Sequence, residues 1–121
     1  KAYGSSILIG EQTYLESTDA IETRRLDIIN VVGKVEPVPI YEVVAKKGDL
    51  DETKKKALDY YQQGFQSYQD RAFADAVGHF EEGLSCDTLD GPCKAMINRC
   101  ETYIDDPPPP KWNGVYKMTS K

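Results

Sequence analysis

The stretch Tyr60–Leu84, YYQQGFQSYQDRAFADAVGHFEEGL, predicts two amphipathic helices separated by a short polar break. Apolar residues recur at helical spacing before the break and again after it. The break at Gln69–Ala72 leaves room only for a tight return, so we expect an antiparallel helical hairpin. The first predicted face contains Tyr60, Tyr61, Gly64 and Tyr68, and the second contains Phe73, Ala76, Val77, Phe80 and Leu84.

Three glycines fall inside the predicted helices, at Gly64, Gly78 and Gly83. A glycine in a helix interior costs about 1 kcal/mol relative to alanine, so its presence needs a reason. Close approach of one helix to the other is the reason that we expect for Gly64 and Gly83.

The residue pattern of this hairpin resembles a tetratricopeptide repeat. Tyr60 and Gly64 match consensus positions of the first helix, and Phe73, Ala76 and Phe80 match those of the second. The alternative interpretation is an ordinary amphipathic helical hairpin. Four positions depart from the family pattern: Gln63, Ser67, Gly83 and Thr88.

A third helix is predicted to begin at Asp90-Gly91-Pro92, because a capping residue followed by proline in the first turn is typical of helix starts. The prolines Pro107–Pro110 end it and predict an extended conformation. The tail beyond them carries Trp112 and other apolar residues, which predicts that it docks on the domain. The apolar stripe of the third helix contains Cys93, Met96, Ile97, Cys100, Tyr103 and Ile104.

The first third of the chain predicts strands. Ile7, Leu8 and Ile9 lie between glycines, which is typical of a strand buried on both faces, here Ser5–Gly10. A short helix over Glu11–Ala20 would follow, with Tyr14 and Leu15 directed inward. The segments Glu22–Val32 and Val38–Val44 should then pair as a hairpin with a loop of about four or five residues, with Pro39 at the start of its strand or on an edge.

Composition excludes several classes of function. The 121 residues carry a net charge of −5, which argues against binding nucleic acid or an anionic membrane surface. No apolar run approaches the roughly 20 residues that span a bilayer, so no direct membrane insertion is expected. No signal peptide is found, and the start at Lys1 predicts a piece of a longer protein.

The cysteines do not predict a metal site. Cys86, Cys93 and Cys100 form no CxxC pair, and His79 is the single histidine. Cys93 and Cys100 lie one heptad apart, so we interpret them as small buried residues in a reducing compartment, with His79 at the rim of its helix.

Residues 1–44 are similar to the C-terminal end of a class III adenylate/guanylate cyclase catalytic domain. The end of the chain resembles the tail of bacterial cyclases that append tetratricopeptide-like helices, on its prolines and on Trp112, Gly114-Val115, Met118-Thr119 and Lys121. The matching residues of the first part are Tyr3-Gly4, Ile7-Leu8-Ile9, Thr13, Arg25-Leu26-Asp27, Gly33-Lys34, Glu36-Pro37-Val38 and Ile40-Tyr41-Glu42-Val43.

The resemblance implies a two-metal active site whose aspartates, asparagine and arginine lie upstream of Lys1. A family lysine that contacts the triphosphate falls at Val32, while Lys34 matches a lysine without that role. We therefore predict no catalytic, cofactor-binding or metal residue in this chain, although the parent family uses two divalent ions, usually magnesium. We favour an adenylate cyclase over a guanylate cyclase as the parent. The residues that select the base would lie upstream of Lys1, so the sequence does not decide between cyclic AMP and cyclic GMP.

The predicted fold class is α+β. Residues 1–45 would be a remnant of the cyclase sheet, residues 46–106 a three-helix tetratricopeptide-like module, and residues 107–121 a Pro-rich docking tail. The predicted function is that of a non-catalytic cyclase end that serves regulation or assembly. The predicted location is the cytoplasm, which is also compatible with a membrane-anchored parent whose catalytic end lies in the cytoplasm. A homodimer through the parent or through exchanged strands is expected.

Two alternatives remain open at this point: a protein-binding tetratricopeptide-like adaptor and a purely structural dimerisation element. For the adaptor, the candidate protein-contact residues are Tyr60, Tyr61, Tyr68 and Trp112. The competing interpretation of these aromatic residues is packing in the core or at its rim.

Overall fold

The computed structural model describes residues 3–4, 7–33 and 35–117, and it shows an α+β fold. The chain divides into two compact units. The helical unit comprises Lys1–Ser5 and Asp51–Gly114, and the sheet unit comprises Ser6–Leu50 and Val115–Lys121. Within the described residues the elements are β1 (Leu8–Gly10), α1 (Glu11–Ser17), β2 (Ile21–Asn30), β3 (Val38–Lys46), α2 (Glu52–Gln69), α3 (Phe73–Cys86), α4 (Gly91–Asp105) and β4 (Tyr116–Lys117).

The sheet unit is built on the predicted hairpin. Strands β2 and β3 pair antiparallel, and the order across the sheet is β1-β3-β2-β4. The connecting loop, residues 31–37, is longer than expected because β2 ends at Asn30. Pro39 lies opposite Ile28, just outside the segment of β3 that pairs with β1. Proline has no N–H to donate, so its place beyond the β1 pairing agrees with the prediction for the start of a strand.

The prediction that the first strand is buried on both faces is wrong. Ile7 is 55% exposed and Leu8 is 38% exposed, because β1 is a three-residue strand at the edge of the described sheet, beside β3. The predicted short helix is present as α1, but only one of its two inward residues packs. Tyr14 stacks on Tyr41 with ring centroids 3.9 Å apart, whereas Leu15 is 62% exposed.

A buried ion pair crosses the hairpin at a position that the sequence did not indicate. Arg24 and Glu42 are direct cross-strand partners, and Arg24 Nη2 lies 2.7 Å from Glu42 Oε1. The Nε of Arg24 donates to the same oxygen at 2.8 Å. Because the Arg24 side chain is only 1% exposed, loss of Glu42 would leave a buried charge without this partner, which is strongly destabilising.

In the helical unit, side-chain caps fix where two of the helices begin. The Asp51 carboxylate accepts from the Lys54 N–H at the start of α2, as predicted from its sequence position. The Asp90 carboxylate does the same for the Cys93 N–H at the start of α4, where Pro92 lies in the first turn.

Ring contacts show that α2 and α3 run antiparallel, as the hairpin prediction required. Tyr61, at the middle of α2, meets Phe80 at the middle of α3, with centroids 5.1 Å apart. Tyr68, late in α2, meets Phe73 at the first residue of α3, with centroids 6.1 Å apart. The buried faces agree with the predicted ones at Tyr61, Gly64, Tyr68, Phe73, Ala76 and Phe80.

Gly64 and Gly83 mark close approaches of helices, which confirms the reason proposed for them. A methyl group added at Gly64 would lie 2.7 Å from a ring carbon of Phe80. At Gly83 it would lie 3.0 Å from the Cys93 sulfur and 3.3 Å from the Ala57 carbonyl oxygen. Gly83 thus lets α3 approach both α2 and α4.

Helix α4 packs on α3, and its Cys93, Met96 and Cys100 are fully buried. The predicted stripe is wrong at its end, because Ile104, in the last turn of α4, is 49% exposed. Among the described residues, no helix is both long enough and apolar enough to cross a bilayer.

We predict opposite effects of two glycine substitutions in adjacent helices. Gly64→Ala drives a methyl group into the buried Phe80 ring and should destabilise the protein by about 1–3 kcal/mol. Gly78→Ala meets no atom within 4 Å and should stabilise it by about 0.5–1 kcal/mol through helix propensity. Urea unfolding followed by circular dichroism measures both changes, and equal effects of the two substitutions would refute the close approach.

Candidate functional site

In the helical unit, an aromatic cluster lies where the tail meets the three helices. Its members are Tyr68 of α2, Phe73 of α3, Tyr103 of α4 and Trp112 of the tail. The Trp112 ring lies 5.2 Å from Tyr68, 5.7 Å from Phe73 and 5.9 Å from Tyr103, measured between centroids. Two of these contacts are edge-on, a geometry worth about 0.5–1.5 kcal/mol per pair beyond the area buried.

Trp112 of the tail thus packs against side chains of all three helices. Val115 and Tyr116 belong to the sheet unit, where Tyr116 and Lys117 form β4 and pair parallel with Ile29 and Asn30 of β2. Met118 and the residues after it lie outside the described part of the chain, as does Lys34.

Arg71 holds the proline segment beside this cluster. Its Nη2 donates to the Pro108 carbonyl at 2.8 Å, and its Nη1 donates to the Pro109 carbonyl at 3.0 Å. The guanidinium also lies 5.7 Å from the centroid of the Trp112 ring. The Pro109 carbonyl accepts from the Trp112 N–H as well, at 2.9 Å, so the chain turns back at Pro110 and the extended conformation predicted for all four prolines is wrong there.

The backbone at Arg71 has a conformation that glycine usually supplies. The φ of Arg71 is 64°, a left-handed value. With this conformation α2 ends in two hydrogen bonds, from Arg71 N to Tyr68 O and from Ala72 N to Ser67 O. For a residue with a Cβ this conformation costs about 1–2 kcal/mol. Contacts of the Arg71 side chain with Pro108, Pro109 and Trp112 offset that cost, which explains an arginine in a position that favours glycine.

The four candidate protein-contact residues separate into distinct environments. Tyr61 and Tyr68 are fully buried, so packing in the core describes these two. Trp112 is half-buried inside the aromatic cluster. Tyr60 is half-buried and lines a shallow groove of about 520 Å³ between α2 and α3, together with Lys56, Asp59, Gln63, Glu82 and Cys86.

Sequence reasoning missed the part that the first residues play in the helical unit. Tyr3 is only 2% exposed, and its hydroxyl accepts from Arg99 Nη2 of α4 at 3.4 Å. The same guanidinium donates to the Tyr68 hydroxyl at 3.2 Å through Nη1. A Cβ at Gly91 would lie 2.7 Å from the carbonyl oxygens of both Tyr3 and Gly4, so the glycine at this helix start allows the N-terminal segment to approach.

A polar site ties the start of α2 to the loop before α4. The Lys54 ammonium lies 2.8 Å from Asp87 Oδ2 and 3.3 Å from Asp90 Oδ2. The Asp90 side chain is fully buried and already caps α4, so this lysine balances a charge in the interior. We interpret this site as structural, because Lys54, Asp87 and Asp90 already bind one another.

The cysteines show no arrangement for nucleophilic chemistry. Burial raises the pKa of the Cys100 thiol to about 12, so it stays neutral at physiological pH. Cys93 is also fully buried, as predicted, whereas Cys86 is half-buried and His79 is half-buried at the rim. Over residues 3–4, 7–33 and 35–117, no three or more His, Cys, Asp or Glu side chains are grouped so that they could hold a metal ion.

Comparison with curated proteins gives one clear relationship. The chain is 34% identical over 104 residues to "Adenylate cyclase, terminal-differentiation specific" of Dictyostelium discoideum. This chain contains an adenylate cyclase-related region. The alignment covers 83% of the chain and 5% of the Dictyostelium protein, so the chain spans a small part of the relative that it matches. No family model matches the chain, and no solved structure matches it.

We predict that Arg71 controls the seating of Trp112, which can be measured because Trp112 is the one tryptophan in the sequence. Arg71→Ala removes both carbonyl hydrogen bonds and the contact with the ring. The emission maximum should move to longer wavelength, and quenching by iodide should increase. Lys111→Ala, at an exposed position next to Trp112, is the matched control and should change neither quantity. Unchanged emission in Arg71→Ala would contradict the role assigned to this side chain.

Proposed function

We propose that this chain is the non-catalytic C-terminal part of a class III adenylate cyclase and that its helical unit serves regulation or assembly. The observation that carries the proposal is the extent of the similarity. An alignment of 104 residues is longer than either unit, so it includes parts of both. The Dictyostelium adenylate cyclase therefore shares sequence with the sheet unit and with the helical unit of this chain.

The distribution of reactive groups supports a non-catalytic role. The class III resemblance locates the metal-binding aspartates and the asparagine and arginine outside this chain. The family's triphosphate-contacting lysine corresponds to Val32, an apolar residue that is 44% exposed. The described residues do not fit a pair of magnesium ions, since they bring together no group of ligands, and we assign no step of the reaction to them.

The helical unit supplies the part of the proposal that concerns assembly. Helices α2, α3 and α4 pack in consecutive order, with Gly64 and Gly83 at the close approaches. This order supports a tetratricopeptide-like module in which α4 corresponds to the first helix of a second repeat. We propose that the module helps to bring two catalytic domains of a homodimer together, in the cytoplasm.

A protein-binding adaptor is the second candidate. The half-buried Tyr60 and its groove favour it, since the groove mixes an aromatic face with the charged side chains of Lys56, Asp59 and Glu82. The burial of Tyr61 and Tyr68 and the occupation of the aromatic cluster by Trp112 disfavour it, because three of the four candidate contacts already pack within the chain.

Cyclic AMP formation by the full-length protein tests the proposal. Gly64→Ala, which disturbs the helical unit alone, should lower the rate of cyclic AMP formation from ATP and Mg²⁺ several-fold and reduce the dimer fraction in sedimentation. Gly78→Ala should leave both unchanged, and the isolated chain should form no cyclic AMP.

Turnover by the isolated chain would refute the non-catalytic assignment. Unchanged cyclic AMP formation and dimer content in Gly64→Ala would refute the assembly role. If that variant instead lost only a bound partner protein, the adaptor function would replace it.

A further inference from the structure

The groove that holds the tail has the features of a peptide-binding site. We propose that this tail groove, formed by Tyr68, Arg71, Phe73 and Tyr103, also accepts the tail of a second copy of the chain, so that two chains exchange residues 107–112. The inference rests on contacts within the helical unit and does not depend on the relationship to cyclases.

The recognition chemistry is that of a proline-rich ligand followed by an aromatic anchor. Arg71 donates to two successive proline carbonyls, at 2.8 and 3.0 Å, and these carbonyls belong to residues that carry no N–H of their own. The Trp112 ring then fills the space between three aromatic side chains. Aromatic-lined grooves bind proline-rich segments in this way because such segments lose little conformational entropy on binding.

The connection to α4 has the form of a hinge joined to a stiff arm. Only Asp106 and Pro107 separate the last residue of α4, Asp105, from the first carbonyl that Arg71 binds. The ring of each proline fixes its φ, so Pro107, Pro108 and Pro109 have little rotational freedom. Asp106, with φ −139° and ψ 82°, is a point of rotation before the arm. After Trp112 the chain passes through Gly114, whose φ is 86°, into β4, so the arm has a point of rotation at each end. A stiff segment between two such points is suited to reach a neighbouring chain.

A second copy is the occupant that the sequence itself supports. Trp112 is the one tryptophan in the chain, and Pro107–Pro110 is its one run of prolines. A second copy presents the same carbonyls and the same ring, so exchange requires no new complementarity. In the wild-type protein the attached tail competes at an effective concentration on the order of millimolar. Exchange is therefore expected where chains are concentrated or held close together.

Mixing two complementary variants tests the exchange. The groove variant, Arg71→Glu with Tyr103→Ala, keeps Trp112 but loses two walls of its own groove. The tail variant, Trp112→Ala, keeps the groove but has no tryptophan and is silent in emission. Titrating the tail variant into the groove variant should return the emission maximum to shorter wavelength in a saturable manner. Sedimentation velocity should show a species of two chains that neither variant forms alone.

The matched control replaces the tail variant by a triple variant, Arg71→Glu, Tyr103→Ala, Trp112→Ala, which offers no intact groove. It should produce no shift and no two-chain species. A shift of equal size with this control, or no shift with the tail variant up to millimolar concentration, would overturn the proposal. Circular dichroism of each variant verifies that the helices are formed.

A synthetic peptide gives a second measurement that does not need the groove variant. A fluorescein-labelled peptide of residues 106–117 should bind the tail variant with saturable anisotropy, and bind wild-type protein at least tenfold more weakly because the attached tail competes. The same peptide with Trp112→Ala should not bind. Equal binding of both peptides, or no binding to the tail variant, would contradict the proposed site.

Discussion

The packing of aromatic side chains between α2 and α3 is the constraint on which the helical unit depends. Gly64 admits the Phe80 ring against the α2 backbone, and Tyr61 meets the same ring at 5.1 Å. From there the contacts continue through Phe65 to Tyr68, whose ring centroids are 5.5 Å apart. The series ends at the aromatic cluster, so the position of the tail follows from the packing of the first two helices.

The sheet unit is stabilised by a different kind of contact. Its hairpin has the Arg24–Glu42 ion pair on one face and the stack of Tyr14 on Tyr41 on the other, since Glu42 and Tyr41 are neighbours along β3. The β2–β3 register has two irregularities, one between Glu22 and Thr23 and one between Arg25 and Asp27. They interrupt the regular alternation of side chains between the two faces of the sheet. The second of them accompanies the complete burial of both Leu26 and Asp27, although these residues are consecutive.

Periodicity and capping residues predicted the helices well because both signals are local. Asp51, Asp90 and Pro92 fix helix starts by hydrogen bonds or dihedral preferences within one turn. The α+β class and the β2–β3 hairpin were also predicted, because runs of β-branched residues on either side of a glycine–proline segment specify them.

The features that sequence could not provide depend on partners distant along the chain. Leu15 and Ile104 fit apolar patterns, yet both side chains are exposed. The burial of Tyr3 depends on Arg99, 96 positions later. The left-handed conformation of Arg71 had no local signal, since glycine or asparagine is expected there and the compensating contacts come from Pro108 and Pro109.

The proposed function assigns packing surfaces and no reacting group to this cyclase-related chain. Its central claim is that α2, α3, α4 and Trp112 form one cooperative structure. Native-state hydrogen exchange measured by NMR tests it most directly. The account predicts that interior amides of the three helices open with the same free energy, and that the Trp112 amide, bonded to Pro109, is protected. Separate opening of α4 at lower free energy, together with an unprotected Trp112 amide, would contradict it.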